Sequence, residues 1–239
     1  MRLRPLLAPV ALCLALVAAG CSSDDTAEQS AEKSADSPAA TAAESPAEST
    51  AAASPSADAS EPSEPDTDTD TQEVATDQVA FDVPASWVTV DAAEAFSGDD
   101  ATEDPVVQDL AARLGVTPEQ AVQTFAQMDL IVTSDGERDA GVLTNLNVVH
   151  FPGALPTESA ARAELRQIGA TITSIEAVET GAGDALRVAY TLEAGGGQVR
   201  SQALAVDVDG QLVTITVTAG TETTSDELTD LVVDSLTAA

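Results

Sequence analysis

From Leu186 to Leu192 the chain changes polarity at every second residue, and two later segments do the same. Leu186, Val188, Tyr190 and Leu192 point one way, with Arg187, Ala189, Thr191 and Glu193 on the other side. Leu204, Val206 and Val208 repeat the pattern, as do Val213, Ile215 and Val217, whose alternate positions are threonines. A two-residue period belongs to a pleated strand, because successive side chains leave a strand on opposite faces. Asp209-Gly210 between the last two runs is a hairpin signal, since both residues accept left-handed backbone. Strands are therefore predicted over 185–193, 198–208 and 211–218, with a weaker one over 171–178. They pair antiparallel in one sheet.

The segments before and after supply more strands and the helices that cover the sheet. VAFDV at 79–83 reads as a strand ended by Pro84, and Trp87–Val90 as a second. Residues 97–104 read as a polar loop. In 105–114, Val106, Val107, Leu110, Ala111 and Leu114 form a helical stripe closed by Gly115. Thr117-Pro118-Glu119-Gln120 is a helix start: a cap, a proline at the first helical position, and a glutamine able to close the capping box. That helix places Ala121, Val122, Phe125 and Met128 on its apolar face. A strand at 129–134, a turn at Asp135-Gly136 and a strand at 141–151 follow. A helix over 156–168 begins at Thr157. The last helix is expected to start with a capping box, Thr224 to Glu227, and to bury Leu228, Leu231, Val232 and Leu236. The fold class is α+β, with one central antiparallel sheet flanked by helices.

The 239-residue chain does not spend its whole length on this domain. Arg2 and Arg4 precede an apolar run, Leu6 to Ala19, which ends in small residues. Residues 1–20 thus read as a secretory signal, too short for a membrane span. LVAAGC at 16–21 resembles the lipobox of bacterial lipoproteins, with Ala18 at its first position. Cys21 is the residue whose thiol is alkylated in that motif, because a thiolate is a good nucleophile. From Ser22 to Asp77 there is no aromatic side chain, and Val74 is the single large aliphatic one. So little apolar surface cannot offset the entropy of ordering, and 21–77 is expected to be a disordered acidic tether. About 55 residues of flexible coil span roughly 40 Å. The globular domain is expected over 78–239.

Composition narrows the chemistry. The formal charge is −32, from 41 acidic and 9 basic residues, and such a surface repels nucleic acid and anionic membranes. Cys13 leaves with the signal and Cys21 carries lipid, so the domain has no thiol for disulfide, catalysis or metal. A Ser-His-Asp triad would need His150, the sole histidine, which sits near the end of an apolar strand with no G-x-S-x-G elbow in the chain. Asp207 and Asp209 superficially form a metal pair but read as a strand end and its turn. The glycines at 195–197 lack the strand–turn–helix setting of a phosphate loop. Arg113, Arg138, Arg162, Arg166, Arg187 and Arg200 are scattered. No catalytic residue, metal ligand or cofactor motif is therefore expected. Among the aromatic side chains, Trp87 and Phe125, with Met128, are the candidates for lining an apolar groove between the first helix pair and the sheet.

The start FDVPASW resembles the opening of the PsbP-like fold. DPVVQDLAARLG, TNLNVV at 144–149, GAGDALRVAY at 181–190, the paired strands at 198–218 and the closing helix ending DSL are similar in order to LpqN-like lipoproteins. The resemblance implies an α/β/α sandwich and a non-enzymatic role at the extracytoplasmic face of the cell membrane, held there by lipid on Cys21. It also implies envelope lipid handling, with a mycolate-type glycolipid or envelope transport proteins as partners. The alternative is a protein-docking module that stabilises an envelope complex without a small ligand.

Overall fold

The computed structural model describes residues 70–194 and 197–239. The expected signal peptide, Cys21 and nearly all of the tether lie outside the described residues, as do Gly195 and Gly196. Ten strands and five α-helices follow in chain order: β1 (Thr71–Ala75), β2 (Val79–Pro84), β3 (Val88–Asp91), α1 (Ala92–Ala95), α2 (Pro105–Leu114), α3 (Pro118–Phe125), β4 (Leu130–Asp139), β5 (Val142–Pro152), α4 (Glu158–Gln167), β6 (Thr171–Thr180), β7 (Gly183–Ala194), β8 (Gly197–Val208), β9 (Gln211–Ala219), α5 (Glu222–Ser235) and β10 (Thr237–Ala238). Seven of the strands make one sheet in the order β3-β4-β5-β9-β8-β7-β6, and every neighbouring pair is antiparallel.

The alternation read from the sequence sets the faces of this sheet. Leu204 lies opposite Ile215 and Val206 opposite Val213. They join Leu146, Val148 and Val217 in a buried cluster closed by Val79, Phe81 and Val83 of β2, by Val232 of α5 and by Leu236 just after it. The other face carries two clusters. One lies under α2 and α3, with Val90, Ile131 and Val149 from the sheet; the other lies under α4, with Leu186, Val188, Tyr190 and Leu212. Between them runs a buried polar strip that includes Asn145, Asn147, Thr216 and Thr218. Neither end of the Asn147 side-chain amide has a hydrogen-bond partner, nor does the Thr133 hydroxyl, so burial carries an uncompensated polar cost here.

The structure corrects several expectations. Of the two strands expected at the start of the domain, β3 joins the central sheet but β2 does not: β1, β2 and β10 form a separate three-stranded sheet. The fold also begins at Thr71 rather than near Gln78. Val74, the single aliphatic residue in a tether-like composition, is buried opposite Phe81. Thr76 makes the intervening turn, its hydroxyl accepting the N–H groups of Gln78 and Val79. Val106 does not belong to the buried stripe of its helix, being 47 % exposed. The hairpin between β4 and β5 turns at Ala140-Gly141 (φ 46° and 88°), not at Asp135-Gly136. Gly136 (φ 114°) instead sits in a register shift between Thr133 and Arg138. Turn and bulge both call for left-handed backbone, so the dipeptide alone does not separate them.

The last helix begins earlier than its sequence signal. Thr221, not Thr224, is the cap, accepting the Thr224 N–H at 3.3 Å. A tertiary contact selects it: the Asp139 carboxylate accepts both the N–H and the hydroxyl of Thr221 at 2.8 Å. Gly220 permits the approach, since a Cβ there would stand 1.8 Å from the Asp139 carbonyl oxygen. Elsewhere the caps form as expected. Thr117 and Gln120 complete a reciprocal capping box, and Thr157 caps α4.

Two outcomes test this architecture. A chain starting at Gln78 loses the partner of Phe81, and its urea midpoint should fall below that of a chain starting at Asp70 by about 2 kcal/mol of stability. Burial raises the Asp139 pKa, but the hydrogen bonds from Thr221, Thr224 and Gly220 outweigh it and hold the carboxyl below its ordinary value. A depressed pKa contributes stability above the unfolded value and loses it as pH falls through the folded one. Asp139→Asn should therefore lower Tm above about pH 5, with the deficit shrinking below about pH 4.

Candidate functional site

The three residues singled out for a groove do not meet. Phe125 and Met128 are buried in the cluster beneath α2 and α3, with the Phe125 ring tilted against Phe96 at 5.8 Å. Trp87 is half-buried against the opposite cluster, beside β2 and α5. Strand alternation explains the separation. Val88 and Val90 face α2, so the residue before Val88 faces away from it. Phe125 and Met128 fill the space that a groove would occupy.

A groove does open a few residues away, between the outermost strand β3 and α2. Its cavity has a volume of about 300 Å³, with walls of Val88, Val90, Pro105, Val106 and Leu110. The helix is placed there by strong local signals. Asp104 accepts the Val106 N–H at 2.7 Å, Pro105 opens the first turn, and Gly115 closes the helix with φ 75°. Val107, Leu110, Ala111 and Leu114 are buried beneath it, which leaves Val106 at the outer lip. Asp109 and Arg113 at the rim are paired at 2.7 Å. The sequence pointed to the stretch from 105 to 128, but only its first helix lines the opening.

The remaining polar candidates find structural partners. Asp207 accepts the Gly210 N–H at 2.9 Å, which tightens the β8–β9 turn. Among the described residues no group of three or more His, Cys, Asp or Glu side chains is arranged to hold a metal. His150 Nδ1 lies 2.7 Å from Asp129 Oδ2, a pairing the sequence did not signal because His150 lies on β5 and Asp129 in the loop before β4, 21 residues away. The pair borders a cavity of about 290 Å³ with Thr76, Asp77 and Asp91. A His–Asp pair is two members of a triad, but the Thr76 hydroxyl in that cavity is held by the backbone of 78–79. Arg187 binds Asp230 at 2.6 Å and Gln202 at 2.5 Å, fastening α5 to the sheet. Burial pushes the Tyr190 hydroxyl well above its ordinary pKa, so it stays protonated at neutral pH.

No family model and no curated protein matches the chain. Solved structures do. The chain is similar to PsbP- and LpqN-type structures. A solution structure of cyanobacterial PsbP from Synechocystis sp. is 16 % identical, covers 72 % of this chain and 94 % of its own, and has a TM-score of 0.45. LpqN of Mycobacterium tuberculosis, described as involved in cell envelope biogenesis, is 9 % identical over 72 % of this chain and 93 % of its own, with a TM-score of 0.40. A Bacteroides thetaiotaomicron crystal structure is 13 % identical over 67 % of this chain and 45 % of its own, with a TM-score of 0.38. No described helix is long and apolar enough to cross a membrane.

The difference between groove wall and core is measurable. Val106→Asn should change stability by no more than about 0.5 kcal/mol in chemical denaturation. Met128→Ala should cost about 2–5 kcal/mol, because it leaves a cavity in a filled core.

Proposed function

We propose that this chain is a membrane-tethered, non-catalytic accessory module of the cell envelope that docks a protein partner at the β3–α2 edge. The observation that carries the docking reading is the contrast between the two sides of α2. Beneath its inner side lie Val107, Leu114, Phe125 and Met128, while its outer side leaves a groove of about 300 Å³. That volume lies at the lower limit of small-ligand sites and suits one protruding side chain better than a whole lipid. The envelope setting rests on the N-terminus: a signal-like segment, a lipobox-like LVAAGC with Cys21 as anchor, and an acidic tether. Anchoring by lipid leaves the domain free to reach partners within the span of that tether.

A second reading keeps the same groove for part of an acyl chain, in line with envelope lipid handling. It is favoured by the mainly apolar lining of Val88, Val90, Pro105, Val106 and Leu110, interrupted by Thr89 and Thr133 and by the Asp109–Arg113 pair.

One preparation tests both the setting and the occupant. Cys21→Ser should move the full-length protein from the membrane fraction to the soluble one, and retention in the membrane would sink the anchor. Native mass spectrometry of the wild-type protein from its own membranes should show a stoichiometric protein partner and no lipid beyond that carried covalently on Cys21. A lipid adduct removed by Val106→Asn would establish the second reading instead.

A further inference from the structure

Building on the docking reading, we propose that the β3–α2 edge receives an extended cationic segment of a partner protein as an added strand, with one aliphatic side chain seated in the groove. The backbone of β3 sets the geometry. β3 pairs with β4 alone and forms one end of the seven-stranded sheet. The Ala92 N–H donates to the Asp129 carbonyl at 3.0 Å, in register with Asp91 opposite Leu130. Bonded pairs recur every second residue in an antiparallel ladder, so Val88 and Val90 bond to β4. The N–H and C=O of Thr89 then point outward, and Thr89 is exposed. The same phase directs the Trp87 carbonyl outward, where Gln72 Nε2 donates to it at 2.7 Å. That bond marks where the N-terminal sheet ends and the open edge begins.

A strand added along Thr89 presents alternate side chains to the groove face, because Val88 and Val90 already face it. One such side chain lies beside Val106, the most exposed large hydrophobic residue of the described domain. The edge is only lightly protected, by its length of four residues and by one charge, Asp91, at its end. Natural edges are blunted by lysine, proline or a bulge. At the other end of the sheet, β6 has a register shift between Ile172 and Ser174 and carries Glu176 and Glu179. The core of β3 is Val88-Thr89-Val90 with none of these.

Charge selects the partner. From Asp91 to Asp109 the chain holds seven carboxylates and no basic residue. Arg113, the nearest cation on α2, is paired with Asp109. A field of one sign beside an open strand edge steers an oppositely charged segment and rejects an acidic one.

The probe is a fluorescein-labelled heptapeptide alternating valine with lysine or arginine, titrated with the mature full chain and followed by anisotropy. Saturable binding is expected, lost when salt rises from about 20 mM to about 500 mM. Methylating alternate backbone nitrogens of the peptide should weaken it at least about tenfold, as should Val106→Asn or Thr89→Pro in the protein. Circular dichroism confirms that both variants fold, and the methylated peptide makes the same test on the unaltered protein. Absent binding, equal affinity for the methylated peptide, or indifference to both variants overturns the proposal. So does displacement of the probe by lauric acid alone, or dimerisation that Thr89→Pro abolishes, which assign the edge to an acyl chain or to a second copy. A photo-crosslinker in cells separates this failure from that of docking itself. Protein adducts from Ser174 but not Thr89 move the partner to the other edge; lipid adducts with no protein at either position remove the docking reading altogether.

Discussion

The pairing of β5 with β9 holds the two halves of the domain together. It runs from Asn145 opposite Thr218 to Pro152 opposite Gln211. On one side of it lie β3 and β4 with the helix pair α2–α3; on the other lie β8, β7 and β6 with α4. β4–β5, β6–β7, β7–β8 and β8–β9 are local hairpins, whose loop-closure cost is small, while β3 reaches β4 across the helix pair α2–α3. The ladder between the halves joins segments separated by a helix and three strands, and is the expensive contact to form. Its side chains explain the division of the core. On one face Val148 and Ile215 continue a single apolar layer, while on the other Asn147 and Thr216 interrupt it and leave two clusters.

The single apolar layer requires a cover that no single helix supplies. α5 covers part of it, and the small N-terminal sheet covers the rest through Val79, Phe81 and Val83. The chain ends are tied into this cover. Asp82 N–H donates to Ser235 Oγ at 2.9 Å, and β10 pairs with β2 just after α5 ends. The start of α5 is held at Asp139, so one helix is pinned at both ends by residues distant in sequence. The cost of the polar strip on the opposite face is borne by a domain well fastened here.

The open β3 edge follows from the same arrangement. A sheet that grows outward from β5 must end, and β3 is where it ends beside α2. The helix docks through its buried stripe and stands slightly away from the last strand, which creates the groove. An edge strand, an apolar slot and an acidic loop thus converge because each is the periphery of one packing solution. The oriented His150 lies elsewhere and ties β5 to the start of β4.

Much of this was legible in the chain. Period-two runs and Asp209-Gly210 determined β7, β8 and β9 with their faces, because strand geometry and left-handed turns are local constraints. Thr117 to Gln120 and Thr157 determined two helix starts for the same reason. Only tertiary structure decided the rest. Val74 looks like tether until Phe81 is placed opposite it, and Thr221 becomes a cap because Asp139 reaches it. Trp87 and Phe125 are equally apolar in sequence, yet alternation across β3 and closure of α2–α3 send them to opposite sides of the sheet. Val106 belongs to a helical stripe by spacing and to a groove lip by where the sheet stops. Periodicity states which side of an element is apolar; which neighbour covers it, and where cover runs out, depends on contacts between residues far apart in the chain.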